Sequence, residues 1–126
     1  MFSTLSLVAL GGAIGASMRY LFGVGVMRLT GPSEFPLAIL SVNVIGSFLM
    51  GMFVVAAAHR GLTHFSPFVM TGLLGGFTTF SAFSLETVNL MERGHIGAAS
   101  LYVALSVGLS IVGLMIGLAV ARGIFA

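Results

Sequence analysis

The stretch Thr71-Gly-Leu-Leu-Gly-Gly-Phe-Thr-Thr-Phe-Ser-Ala-Phe-Ser-Leu-Glu86 sets glycines, hydroxyls, phenylalanines and a carboxylate inside a long apolar run. Lipid offers no hydrogen bonds, so polar groups at that depth are satisfied only by protein, water or an ion. A helix interrupted at Gly75-Gly76 releases backbone carbonyls, and the stretch therefore reads as an ion site on a broken membrane helix. A simple packing kink at the two glycines is the plainer alternative, and the residues alone leave both open.

The flanking sequence fixes the setting. Of 126 residues, 58% are hydrophobic and only 6% charged, against roughly 25% charged in an average soluble domain, and mean hydropathy is +1.17. Charged residues divide the chain into apolar stretches 1–18, 35–58, 61–85 and 94–121, and about 20 residues suffice to cross a bilayer. The prediction is an all-α integral membrane protein. It comprises one domain, 1–126, with transmembrane helices near 4–28, 35–58, 66–91 (broken near 75–79) and 96–121. The loops are a few residues long, which makes neighbouring helices antiparallel. The N-terminus lacks a basic segment before its apolar run and reads as a retained helix rather than a cleaved signal.

Composition also excludes function classes. Without cysteine there is no disulfide framework and no thiolate metal site, and the redox compartment stays open. His59, His64 and His95 lack carboxylate or cysteine company, which argues against a transition-metal centre. The pI of 10.0 rests on five scattered arginines, which argues against nucleic-acid recognition. None of the glycines is followed by Lys-Ser/Thr as a phosphate loop requires.

The arginines bear on topology. With four spans, Arg28 and Arg93 fall on one side of the membrane and Arg60 and Arg122 on the other. Orientation follows asymmetry in Lys and Arg near the spans, and only Arg19, inside the first span, departs from balance. Dual topology is the expectation, with oppositely inserted copies pairing as an isologous antiparallel homodimer. Gly11-x-x-x-Gly15, Ser47-x-x-x-Gly51, Gly72-x-x-x-Gly76 and Gly113-x-x-x-Gly117 permit close helix approach within or between subunits.

Three polar stripes run through the apolar spans. Asn43 and Ser47 share a face of the second helix; Phe80, Phe83, Ser84 and Thr87 share an arc of the third, with Ser81 at its margin; Tyr102, Ser106 and Ser110 recur every four residues on the fourth. Separately, each is ordinary helix packing or an interhelical hydrogen bond. Together they offer an amide, hydroxyl donors and electropositive ring edges, a lining suited to a small hydrated anion. Glu86 is a costly intramembrane carboxylate. Arg19 either snorkels or lines a water-filled vestibule, where it would concentrate anions. If Gly75 and Thr78 present carbonyls near a two-fold axis, two subunits supply hard oxygens for a permanently held monovalent cation.

Taken in order, Gly11-Gly-Ala-Ile-Gly-Ala-Ser-Met-Arg19-Tyr, Asn43-Val-Ile-Gly and Gly75-Gly-Phe-Thr-Thr-Phe-Ser-Ala-Phe-Ser-Leu-Glu86 resemble the CrcB/Fluc fluoride channels of microorganisms over essentially the whole chain. The resemblance implies a dual-topology homodimer with two antiparallel pores in the cell inner membrane, draining cytoplasmic fluoride passively and conferring fluoride resistance. It implies that Asn43, Phe80 and Phe83 line the pore, that Ser81, Ser84, Glu86 and Thr87 belong to a polar track faced by Tyr102 and Ser106, and that the carbonyls of Gly75 and Thr78 bind a central sodium ion, Na+. Its partners would be fluoride, a second copy and lipid, and no enzyme activity is implied. One residue departs from the family pattern: Ala82 stands where a hydroxyl residue is common, which removes a donor from the track.

The rival is a small proton-coupled multidrug exporter, also built from four short helices. Its chemistry needs a carboxylate in the first helix and an aromatic cage, whereas this first helix carries Arg19 and no acid, and the chain has no tryptophan.

Overall fold

The computed structural model describes residues 1–32 and 35–125. Four helical spans run Phe2–Thr30, Leu37–Arg60, Thr63–Glu92 and Ile96–Phe125, each long and apolar enough to cross a membrane. The first two are α1 (Phe2–Thr30) and α2 (Leu37–Arg60). The third is composite: a 3-10 turn Thr63–Phe65, a π-helix Pro67–Leu74, a short α3 (Gly75–Phe77) and, beyond a break, α4 (Phe80–Glu92). The last is α5 (Ile96–Phe125). Pro67 opens the π-helix, where its missing N–H costs no bond.

Two backbone zippers assemble the subunit. α1 lies along the π-helix and α3, and α2 lies along α5. At Gly15 an added Cβ would collide with the Leu73 carbonyl, and at Gly117 with that of Phe48; only glycine lets the helices approach this closely. The small-residue spacings expected to mediate helix approach do so inside the subunit, Gly11 and Gly15 against the π-helix, Gly51 and Gly117 between α2 and α5. α4 is held more lightly, against α5 and the N-terminal half of α2. There Leu40, Phe83, Leu90, Ala99 and Tyr102 form the buried cluster.

Elsewhere the surface is apolar, as a lipid-facing surface must be. Leu109, Ile111, Met115 and Ile116 on α5 are exposed. The Arg60 guanidinium lies 5.2 Å above the Phe125 ring, placing the C-terminal ends of α2 and α5 at one side of the bundle.

The break in the third span falls within the expected 75–79, at its Thr78-Thr79 end rather than at Gly75-Gly76. Gly75 keeps right-handed helical angles (φ −62°, ψ −36°), and the chain departs from the helix at Thr78 (ψ 159°) and Thr79 (φ −151°, ψ 120°). Gly76 serves packing: a Cβ there would stand 2.7 Å from the Gly12 carbonyl. Two consecutive β-branched residues accept extended angles readily, and the methyl of Thr78 fills the space that Gly46 leaves on α2.

Candidate functional site

An extended residue directs its own N–H and C=O to the same side, where a strand partner would normally bond both. At Thr79 that partner is a side chain. Thr79 N–H donates to Asn43 Oδ1 at 2.8 Å, and Asn43 Nδ2 donates to the Thr79 carbonyl at 3.0 Å. The threonine hydroxyl caps the helix that follows, accepting Ala82 N–H at 3.1 Å. α4 therefore begins with an N-cap placed in mid-span, a start signal of the kind found at ordinary helix ends.

These bonds redistribute the carbonyls of the break. In a continuous helix each N–H donates to the carbonyl four residues back, so Thr79 would serve Gly75 and Ala82 would serve Thr78. Both N–H groups are engaged elsewhere, and the Gly75 and Thr78 carbonyls lose their helical donors. The Gly76 carbonyl accepts instead from Arg19 Nε at 3.1 Å, and the Leu74 carbonyl takes both the N–H and the hydroxyl of Thr78 at 2.9 Å. Among the described residues no group of three or more His, Cys, Asp or Glu side chains offers a metal site. The two released carbonyls are hard neutral oxygens, and they fit a hard monovalent cation.

Beside the break an open groove of about 370 Å³ runs between α2, α4 and α5, lined by Asn43, Ser47, Thr78, Thr79, Phe80, Phe83, Ser106 and Ser110 together with apolar side chains. Phe80 is 77% exposed and presents its ring into it. Phe83 lies 5.3 Å from Phe80 on one side and 5.3 Å from Tyr102 on the other, ring centroid to centroid. Tyr102 is fully buried behind Phe83, and Phe35 meets it edge-on at 5.6 Å. The hydroxyls of Tyr102 and Ser106 are buried with no hydrogen-bond partner among the described residues. A buried hydroxyl left unpaired costs about 1–3 kcal/mol, so a ligand that accepts a hydrogen bond from either is favoured there.

The remaining expected residues lie along α4. Ser84 donates to the Phe80 carbonyl at 3.0 Å and Thr87 to that of Phe83 at 2.8 Å; Ser81 is exposed, 3.4 Å from the Thr79 hydroxyl; Glu86 is half-buried. Thr87 opens onto a second groove, with Ser100 and Ala104 across it on α5. Sequence reasoning did not foresee the Asn43–Thr79 pairing or the Arg19–Gly76 bond. The available signal was an amide, which carries both donor and acceptor, in a span facing two consecutive threonines.

Comparison with known proteins agrees with this architecture. Residues 6–118 match the model of the CrcB-like, Camphor Resistance (CrcB) family. This chain belongs to the CrcB family. It is 73% identical to a fluoride-specific ion channel FluC of Roseobacter denitrificans, over 97% of this chain and 98% of the relative. It is 66% identical to one of Ruegeria sp., over 98% of each chain, and 63% identical to one of Cereibacter sphaeroides, again over 98% of each. The CrcB chain described here spans nearly the full length of these relatives, so the groove and the break lie within the matched region.

Proposed function

We propose that this CrcB protein is a fluoride-selective passive channel of the cell inner membrane that lets cytoplasmic fluoride escape and so confers resistance to it. The carrying observation is the groove itself: exposed and stacked phenyl rings, an amide and buried unpaired hydroxyls, set along membrane-spanning helices in a chain 73% identical to a fluoride-specific channel. The protein is a multi-pass membrane protein and an ion channel, not an enzyme.

Dehydrating a small anion requires donors fixed in place. Phe80 and Phe83 present electropositive ring edges, Ser106 and Ser110 supply hydroxyls with Tyr102 buried behind Phe83, and Asn43 keeps a second amide N–H beyond the one given to Thr79. None of these carries a full positive charge, so the lining replaces water without trapping the ion. Arg19 would stand at the approach to the lining and draw anions to it. Hydrofluoric acid enters cells as the neutral acid and dissociates at the higher internal pH. Membrane potential then drives the trapped anion out through such a pathway, without ATP or proton coupling.

A single subunit leaves the groove open on one side, facing Val107 and Ile111. A second copy inserted in the opposite orientation closes it and gives two antiparallel pores, which accords with the balance of Arg28 and Arg93 against Arg60 and Arg122. Near the two-fold axis the Gly75 and Thr78 carbonyls of both subunits would hold a sodium ion. Bound there, the ion would offset the dipoles of released carbonyls and join the subunits.

The decisive experiment is efflux from liposomes holding purified protein, read with a fluoride electrode under a potassium gradient with valinomycin and repeated with chloride. Rapid fluoride loss with negligible chloride loss is expected. Equal loss of both ions, or loss of neither, would overturn the assignment, and sensitisation of a deletion strain to lipophilic cations rather than fluoride would favour the exporter.

A further inference from the structure

The break exposes a selection problem. Thr78 and Thr79 leave the helix, and the carbonyls from Gly75 to Thr79, those of Gly75, Gly76, Phe77, Thr78 and Thr79, lie at the break. Two of these are occupied from neighbouring helices: Gly76 by Arg19 of α1 and Thr79 by Asn43 of α2. Asn43 also removes the N–H of Thr79, the donor that would otherwise return to Gly75 and close the helix.

We propose that Arg19 and Asn43 are positioning residues for the cation, which by engaging Gly76 and both backbone groups of Thr79 leave the Gly75 and Thr78 carbonyls to bind it. The inference rests on the sodium site proposed above and goes beyond it, because it places the determinants of cation affinity on α1 and α2, outside the segment that touches the ion. Without the Asn43 amide, Thr79 N–H is free to bond Gly75, the third span tends toward continuous helix, and one ligand is withdrawn. Without Arg19, the Gly76 carbonyl becomes a competing acceptor between the two ligands. Asn43 also lines the anion groove, so one side chain ties cation occupancy to the shape of the pathway.

The test is equilibrium binding of radioactive sodium to purified detergent-solubilised protein, with oligomeric state followed by size exclusion across a sodium titration against N-methylglucamine. Wild-type protein that binds no sodium rejects the cation site itself, a result independent of any variant. Given wild-type binding, Asn43→Leu, similar in shape and without hydrogen bonds, and Arg19→Gln should each bind sodium about tenfold to a hundredfold more weakly, as changes to groups that orient metal ligands do. Raising sodium should restore occupancy and the dimer by mass action. Asn43→Asp retains an acceptor for Thr79 N–H and should bind sodium more tightly than Asn43→Leu. Wild-type affinity in Asn43→Leu and Arg19→Gln overturns the positioning role, and so does a dimer that no sodium concentration recovers in either, since a merely weakened site must refill.

Discussion

Phe83 stands 5.3 Å from Tyr102, ring centroid to centroid, and lines the open groove while Tyr102 is fully buried and does not. Phe80 lies at the same distance on the other side, so the three rings form a wall with one exposed and two buried members. Phe80→Leu should therefore leave thermal stability nearly unchanged while lowering fluoride efflux about tenfold, the equivalent of one aromatic interaction. Phe83→Leu should lower both, with a stability loss of up to about 1.5 kcal/mol. Efflux and thermal melting on the same preparations separate the two, and wild-type efflux in Phe80→Leu would remove that ring from the pathway.

The unpaired hydroxyls predict an inverse relation between stability and function. Tyr102→Phe and Ser106→Ala each delete a buried hydroxyl that has no hydrogen-bond partner among the described residues, and such deletions recover part of a cost of about 1–3 kcal/mol. Melting temperature should hold or rise while fluoride efflux falls. A fall in both would mean that the hydroxyls are structural.

Glycine positions should divide by neighbour rather than by sequence. Gly15→Val drives a side chain into the Leu73 carbonyl, and we expect no folded protein on size exclusion. Gly97 has nothing within 4 Å of where its Cβ would be, so Gly97→Ala should be recovered in wild-type yield and within about 0.5 kcal/mol of wild-type stability.

Ala82 sits in the first turn of α4 with its N–H engaged by Thr79. Ala82→Thr adds a hydroxyl next to Ser81 without disturbing that cap. Fluoride efflux should increase; if it does not, the α5 serines already supply what the track needs.

The number and order of the spans were legible because apolar runs of the required length are separated by charges. Helix pairing was legible in part, through the spaced glycines. The break was legible to within 75–79, but its cause was not. Gly75-Gly76 looked like the weak point, yet both residues stay helical and Gly76 packs on α1, and the departure at Thr78 and Thr79 depends on an amide 36 residues away in sequence. The Arg19 bond was equally hidden, because nothing local shows the Gly76 carbonyl within its reach. Both are long-range pairings that become visible only once α1 and α2 flank the break.

The hydroxyls of Ser84 and Thr87 hold their protons on carbonyls of their own helix. A proton relay needs hydrogen bonds that run from one hydroxyl to the next, whereas here they run back into the backbone. These two hydroxyls of α4 therefore do not pass a proton from one to the next. Protons then cross only as part of the neutral acid, one left inside for each fluoride that departs.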